Sequence, residues 1–296
     1  PNYEELRKTF SYNLGGVHGK VNSEYFEFRD DEFNVFSARN FREEHKHKKY
    51  YEWEEDQDGN HNLKENPFID KWMTDERMDA MYLPSDKKHE AYYYGGGYGL
   101  YPKKELCPAG TLNIWKGFAA QRMAMPTTQG AKDGVLRILR HMKMLCSDDI
   151  GAFDFMLQWM AQIYQFPHIK GKVMMALVGK QGCGKTALWD LQERMCGKDV
   201  AVSTSRPEDF LGTFNSKLER CLLGRMAELQ KHEFKGVLGQ LRNMITDKTI
   251  MVGRKFVEPQ QMNNMTRFFT DTNFEDAIPD EESERRFFIW KCNDAK

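Results

Sequence analysis

Two hydrophobic periodicities divide this chain. Residues 1 to about 65 are rich in aromatic and charged side chains, and stretches such as Tyr25-Phe26-Glu27-Phe28-Arg29 alternate with period two, which predicts strands. From Val135 the period lengthens. Val135, Leu136, Ile138, Leu139, Met142 and Leu145 recur at helical spacing and predict a helix with that face in the core. A second helix is expected after Ser147 or Asp148 as cap, with Phe153, Met156, Leu157, Met160, Ile163 and Tyr164 on its apolar face and Pro167 ending it. Short apolar runs then alternate with helical segments to the end, the pattern of an α/β layer fold. The organisation expected is a mixed region over residues 1–130, a helical subdomain over 131–166 and a core over 167–296.

Composition narrows this little. The chain has 296 residues, 40% hydrophobic, with a net charge of −1. It is no polycation, so nucleic acid would have to meet a local basic patch. Six scattered cysteines include no C-x-x-C pair, which argues against a zinc site and for reduced thiols in an intracellular compartment. No apolar run approaches the roughly 20 residues that span a bilayer. The chain starts at Pro1 and reads as an excerpt of a longer polypeptide.

Several polar clusters read as surface. The run His45-Lys46-His47-Lys48-Lys49, followed by Glu52, Glu54, Glu55, Asp56 and Asp58, suggests a solvated loop or hairpin. Asp56-Gln57-Asp58-Gly59-Asn60 begins like a calcium loop, but its glycine comes too early and Pro67 stands where the closing Glu should be. Asp30-Asp31-Glu32 reads as a surface turn. Tyr92-Tyr93-Tyr94-Gly95-Gly96-Gly97-Tyr98-Gly99 could stack on bases, or form a Gly-rich hairpin beside packed tyrosines.

The most informative segment is Gly179-Lys180-Gln181-Gly182-Cys183-Gly184-Lys185-Thr186. It follows the apolar run from Val173 to Val178 and opens a segment, Ala187 to Cys196, that can be helical. This strand–loop–helix context is what a nucleotide-binding P-loop requires. Glycines let backbone N–H groups turn inward around phosphates, and the helix N-terminus adds roughly half a positive charge. Lys185 can reach the β/γ-phosphates and Thr186 can offer its hydroxyl to Mg²⁺.

Hydrolysis also needs groups at the ends of later strands. Glu228 ends the run Cys221-Leu222-Leu223-Gly224-Arg225-Met226-Ala227 and, at the tip of a strand beside the P-loop, could hold Mg²⁺ through water or polarise the attacking water. Glu233 is its fallback. Asn273, after Phe268-Phe269-Thr270-Asp271-Thr272, could hold the lytic water. Arg285 and Arg286 precede the last strand, Phe287-Phe288-Ile289-Trp290, and present forks suited to phosphate oxygens, or pair with Glu281, Glu282 or Glu284. Between these lies a hairpin whose two arms flank Gly253. There Lys248, Arg254, Lys255 and Phe256 suit a single-stranded phosphate backbone.

P-loop, acidic strand end, basic hairpin, Asn-tipped strand, Arg before a closing strand: in this order the chain resembles the superfamily 3 helicases of viruses. It is most similar to the branch of poxvirus-type and phage primase-helicases. Trp159, Ala161, Gln165, Pro167 and Lys170 ahead of the P-loop, and Leu112-Asn113-Ile114-Trp115-Lys116-Gly117-Phe118 further upstream, add to the likeness. It is strong over residues 155–290, weaker over 67–122 and absent before that. The resemblance implies an AAA+-like P-loop NTPase core with a central parallel sheet, binding ATP and Mg²⁺. It implies a homo-oligomeric ring, usually a hexamer, that translocates on single-stranded DNA, 3′→5′ in most members, with a primase domain or protein as a possible partner. It assigns Lys185 and Thr186 to nucleotide binding along with the loop residues Gly179, Gln181, Gly182, Cys183 and Gly184. It assigns Glu228 to the acidic motif, Arg254 and Lys255 to a DNA-facing hairpin, Asn273 to the sensor and Arg286 to an arginine finger. Ala227 and Arg225 depart from the pattern, and no primase motif is visible. The competing readings are a P-loop kinase, for which no lid with clustered arginines is found, and a ring scaffold that binds nucleotide without turnover.

Overall fold

The computed structural model describes residues 1–13, 16–21, 24–29, 32–75, 80–82, 91–93, 98–109, 111–125, 127–229, 231–255, 257–273 and 285–293. These form two compact units, Pro1–Lys116 and Gly117–Lys296. Among the described residues no helix is long and apolar enough to cross a membrane.

The first unit is built on aromatic packing. An antiparallel meander (Tyr12–Asn13, Gly16–Val21, Glu24–Arg29, Glu32–Phe36) realises the alternation seen around Tyr25. Phe10, Tyr25, Phe41, Phe68 and Trp72 bury one another; Tyr25 stacks on Phe41 at 4.9 Å and Phe10 meets Trp72 edge-on at 5.1 Å. The acidic stretch is a hairpin, Lys49–Glu55 with His61–Pro67. At its turn the Asp56 carboxylate accepts from the amides of Asp58 and Asn60, which explains a calcium-like beginning without a calcium loop. Asp30, Asp31 and the tyrosine–glycine stretch 94–97 lie outside the described residues.

The second unit carries the candidate chemistry. Its helices α1 (Gln129–Leu145) and α2 (Ile150–Gln165) precede strand β1 (Met174–Val178) and helix α3 (Lys185–Cys196). Then follow β2 (Ala201–Thr204), β3 (Leu223–Ala227), helix α4 (Lys231–Thr246), the arms β4 (Thr249–Arg254) and β5 (Val257–Asn263), β6 (Arg267–Thr272) and β7 (Phe287–Lys291). Five strands pair in the order β2-β3-β6-β1-β7, every pair parallel. All five residues of β1 are buried, as expected of a strand covered on both faces. This is the expected α/β layer with a central parallel sheet, in the arrangement of a P-loop-like core.

Three local expectations need correction. On α1 only Met142 and Leu145 are buried, while Val135 and Leu136 are 53% and 50% exposed and Ile138 is exposed as well. Periodicity fixed the apolar stripe, but the stripe runs beyond the part of the unit that covers it. The cap of α2 is Asp149, whose carboxylate accepts from Ala152 N at 2.8 Å; Ser147 and Asp148 sit in the left-handed region before it. Gly253 does not separate the hairpin arms. It lies within β4 at a bulge, where its amide donates to Asn215 Oδ1 and a Cβ would come within 2.0 Å of the Thr213 carbonyl.

Two basic side chains, buried Arg267 and half-buried Lys170, fix the start of β6. The Arg267 guanidinium donates to the carbonyls of Phe166 and Ile169, at the C-terminal end of α2, where the helix dipole favours positive charge. Lys170 Nζ donates to Asn264 Oδ1 and the Thr266 carbonyl. Burial, with Arg267 adding to it, pushes the Lys170 ammonium from 10.5 down to about 7. Between those values the unfolded chain binds a proton that the folded chain does not, so stability rises with pH from about 7 toward 10 and is lost as pH falls through 7. Unfolding midpoints from pH 7 to 9 should therefore climb for the unaltered chain relative to Lys170→Met. A pH-independent offset between the two would contradict this.

Candidate functional site

The site lies at the C-terminal edge of the parallel sheet. Register places it there: Val178 pairs with Thr272, so the residues that follow, Gly179 and Asn273, leave the sheet side by side. The Gly179 amide donates to the Thr272 carbonyl at 3.1 Å and ties the loop's start to β6. Gly182 and Gly184 take φ of +88° and +98°, values only glycine adopts without strain. A Cβ on Gly182 would meet nothing within 4 Å, as in an open cradle. A Cβ on Gly184 would lie 2.2 Å from the His141 ring. That ring comes from α1, and its Nε2, 3.0 Å from the Gly184 carbonyl, must donate there because a carbonyl only accepts.

Lys185 is 6% exposed. Its ammonium donates to the carbonyls of Gly179 (2.6 Å) and Lys180 (3.0 Å), to Asn273 Oδ1 (3.1 Å) and to Cys183 Sγ (3.5 Å). All four partners are neutral. Among the described residues no carboxylate pairs with this buried cation, and the helix N-terminus and open loop point to a polyphosphate as what fits. Thr186, the next residue of α3, is exposed. Beside the loop, burial pushes the Cys292 thiol up to about 12, with Cys183 next to it, so Cys292 stays a neutral thiol.

Glu228 shares this edge. It is exposed, its amide donates to the Asp271 carbonyl at 3.0 Å, and its φ is +55°. A non-glycine residue held in that region is a feature that clusters at functional sites. Its strand is not beside the P-loop strand as expected: β6 lies between β3 and β1, so Asn273 is nearer the loop than Glu228. Glu233 falls on α4, and its side chain lies outside what the structure describes.

Sequence reasoning did not single out two features. His141 packs on the phosphate loop from a helix that reads only as amphipathic. Asp271, 3% exposed, is gripped by Arg225 through Nε–Oδ1 at 2.7 Å and a second N–H at 2.6 Å to Oδ2. The only signal for this pair was Arg225 interrupting an apolar run.

The remaining candidates sit elsewhere. Arg285 and Arg286 precede β7 at the edge where β1 begins; Met174 N donates to the Arg286 carbonyl at 2.8 Å. That is the other end of a five-residue strand, about 16 Å from the loop at strand rise. Within one chain they do not join the site. Glu281, Glu282 and Glu284 lie outside the described residues. On the hairpin, Lys248 is exposed at one end of β4 and Lys255 at the other, with Lys255 Nζ 6.0 Å above the Phe214 ring. Arg254 is half-buried and paired with Glu219 at 2.8 Å. Phe256 is outside the described residues.

Residues 177–286 match a family of unknown function, DUF5906. A DNA primase-polymerase of Nitratiruptor phage NrS-1 is 28% identical over 148 residues, which make up 49% of this chain and 20% of that protein. Apo structures of the NrS-1 C-terminal region share the fold, with a TM-score of 0.65 and 18% identity over 98% of this chain; they are covered to 61% and, in the A form, 60% of their length. The chain thus spans about three fifths of that region.

Gly184→Ala is expected to lower the unfolding midpoint more than Gly182→Ala, because it adds a clash with His141 to the roughly 1–2 kcal/mol backbone cost that both share. Adding His141→Ala should recover part of the first loss and none of the second. Equal effects without rescue would contradict the packing of His141 on the loop. Across about half of its length this chain is thus similar in sequence to a phage DNA primase-polymerase, and it shares the fold of that protein's C-terminal region.

Proposed function

We propose that this chain is the ATPase motor of a phage-type replicative DNA helicase. The observation that carries the reading is Lys185: a buried ammonium with neutral partners, touching Asn273 at the tip of the adjoining strand. The phosphate loop binds the triphosphate. Water attacks the γ-phosphorus, the bond to the bridging oxygen breaks, and ADP and phosphate leave. Glu228 orients the water and accepts its proton, and the Asn273 amide holds it in line. Mg²⁺, when bound, neutralises the β- and γ-oxygens. Lys185 exchanges the Gly179 and Lys180 carbonyls for phosphate oxygens.

A positive charge for the γ-phosphate comes from a neighbouring copy. Arg285 and Arg286 are at the far edge of their own sheet, which suits a ring in which each protomer presents them to the next. Lys255, with Phe214 beneath it, and Lys248 form the exposed cationic part of the hairpin that follows the DNA backbone. Relationship to a DNA primase-polymerase supports a role in replication.

ATP hydrolysis measured with and without single-stranded DNA tests this. Stimulation by DNA is expected, with Lys185→Ala abolishing it. Arg286→Ala should retain ATP binding while turnover falls by roughly 10³-fold or more, and mixing it with Lys185→Ala subunits should restore part of the activity. ADP release that depends on a small-molecule acceptor instead of DNA would favour a kinase. Full activity in an isolated monomer would contradict the shared site.

A further inference from the structure

The strand end that carries Glu228 lacks one group the reaction needs. The residue before it is Ala227, so β3 offers no second carboxylate to a metal. The sheet register brings one from the neighbouring strand. Ala227 pairs with Asp271 of β6, which pairs on its other side with Leu177 of β1. Asp271 therefore stands level with Ala227 but one strand spacing, about 4.8 Å, nearer the strand that enters the phosphate loop.

The neighbours of Asp271 fix where its carboxylate faces. Residues two apart on a strand share a face, so Phe269, Asp271 and Asn273 line one side of β6. Phe269 stacks on Trp189 of α3, with ring centroids 6.1 Å apart, and Asn273 accepts from Lys185 at 3.1 Å. Asp271 lies between these contacts along the strand, on the side of the sheet that α3 covers with Lys185, Leu188 and Trp189. The carboxylate thus lies on the side of the sheet covered by α3. The Arg225 guanidinium lies on the same side, 5.6 Å over the Trp189 ring. A carboxylate at 3% exposure requires a cation, and Arg225 provides it with a two-bond grip.

We propose that Asp271 is the metal-side carboxylate of this site, holding Mg²⁺ directly or through water together with the Thr186 hydroxyl, and that Arg225 is the cation it exchanges for the metal. This assignment rests on the nucleotide-binding function proposed above. It divides the two acidic tasks between strands: Asp271 on β6 serves the metal, and Glu228 on β3 serves the water. The same division accounts for both departures of β3, since Ala227 leaves room opposite Asp271 and Arg225 neutralises it. The donor set is one carboxylate and one hydroxyl plus phosphate oxygens, which suits Mg²⁺.

Asp271→Asn alone would leave Arg225 buried without its partner, so it is tested beside Asp271→Asn combined with Arg225→Met. Affinity for a fluorescent, non-hydrolysable ATP analogue is measured in EDTA and across a Mg²⁺ titration, with Mn²⁺ binding followed by electron paramagnetic resonance. In EDTA both variants should bind the analogue within about twofold of the unaltered chain, while their affinity for the metal falls roughly 10–100-fold. Glu228→Gln should keep its metal affinity. An unchanged metal titration in a folded double variant overturns the assignment, as does a loss confined to Glu228→Gln. Should neither Asp271 variant fold, Arg225→Lys serves: a single ammonium releases the carboxylate more readily than the fork does, so metal affinity should rise, and an unchanged value overturns the exchange. If the unaltered chain binds no analogue, and Lys185→Ala makes no difference, the nucleotide-binding function itself falls and the Asp271 assignment with it. Retained binding with an unaltered metal dependence removes the assignment alone.

Discussion

A buried ammonium whose partners among the described residues are all neutral governs this site. Lys185 is held by the Gly179 and Lys180 carbonyls, a thiol and an amide oxygen, all of them neutral. Such an arrangement leaves a positive charge in a low-dielectric pocket, next to a helix N-terminus that adds its own partial charge. Both favour a polyanion over any neutral ligand. Gly182 leaves the loop open to receive it, and Gly184 lets His141 back the loop from α1.

Every other feature of the site follows from placing β6 between β3 and β1. That order puts Asn273 beside the loop and within reach of Lys185. It also sets Asp271 across from Ala227, so that a carboxylate and an arginine meet in the core of the sheet. The polar residues of β6 are buried and paired through most of their groups: Thr270 and Thr272 donate to the carbonyls of Met226 and Leu229, and Arg267 anchors the strand's start to the end of α2. A strand that reads as polar for its position is thus the one that aligns the chemistry.

Local signals in the sequence were sufficient where the structure is local. The loop, its preceding strand and its following helix were legible because glycine spacing and an apolar run specify them within a few residues. Asn273 and Glu228 were legible as strand ends for the same reason. What failed was non-local. Helical spacing named the apolar side of α1, but the uncovered state of Val135 and Leu136 depends on what the rest of the unit reaches. Gly253 read as a turn, because the sequence does not show that the Thr213 carbonyl approaches its Cα. The Arg225–Asp271 pair depends on strand order and register, which no window of sequence contains; in isolation Arg225 looked like a flaw in a strand.

The central claim is that the anion missing beside Lys185 is the γ-phosphate of a nucleotide. An experimental structure with Mg²⁺ and a non-hydrolysable ATP analogue tests it most directly. A γ-phosphate oxygen should lie about 3 Å from Lys185 Nζ with the Asn273 amide against the same phosphate. A nucleotide bound elsewhere, with Lys185 still resting on the Gly179 and Lys180 carbonyls, would contradict it.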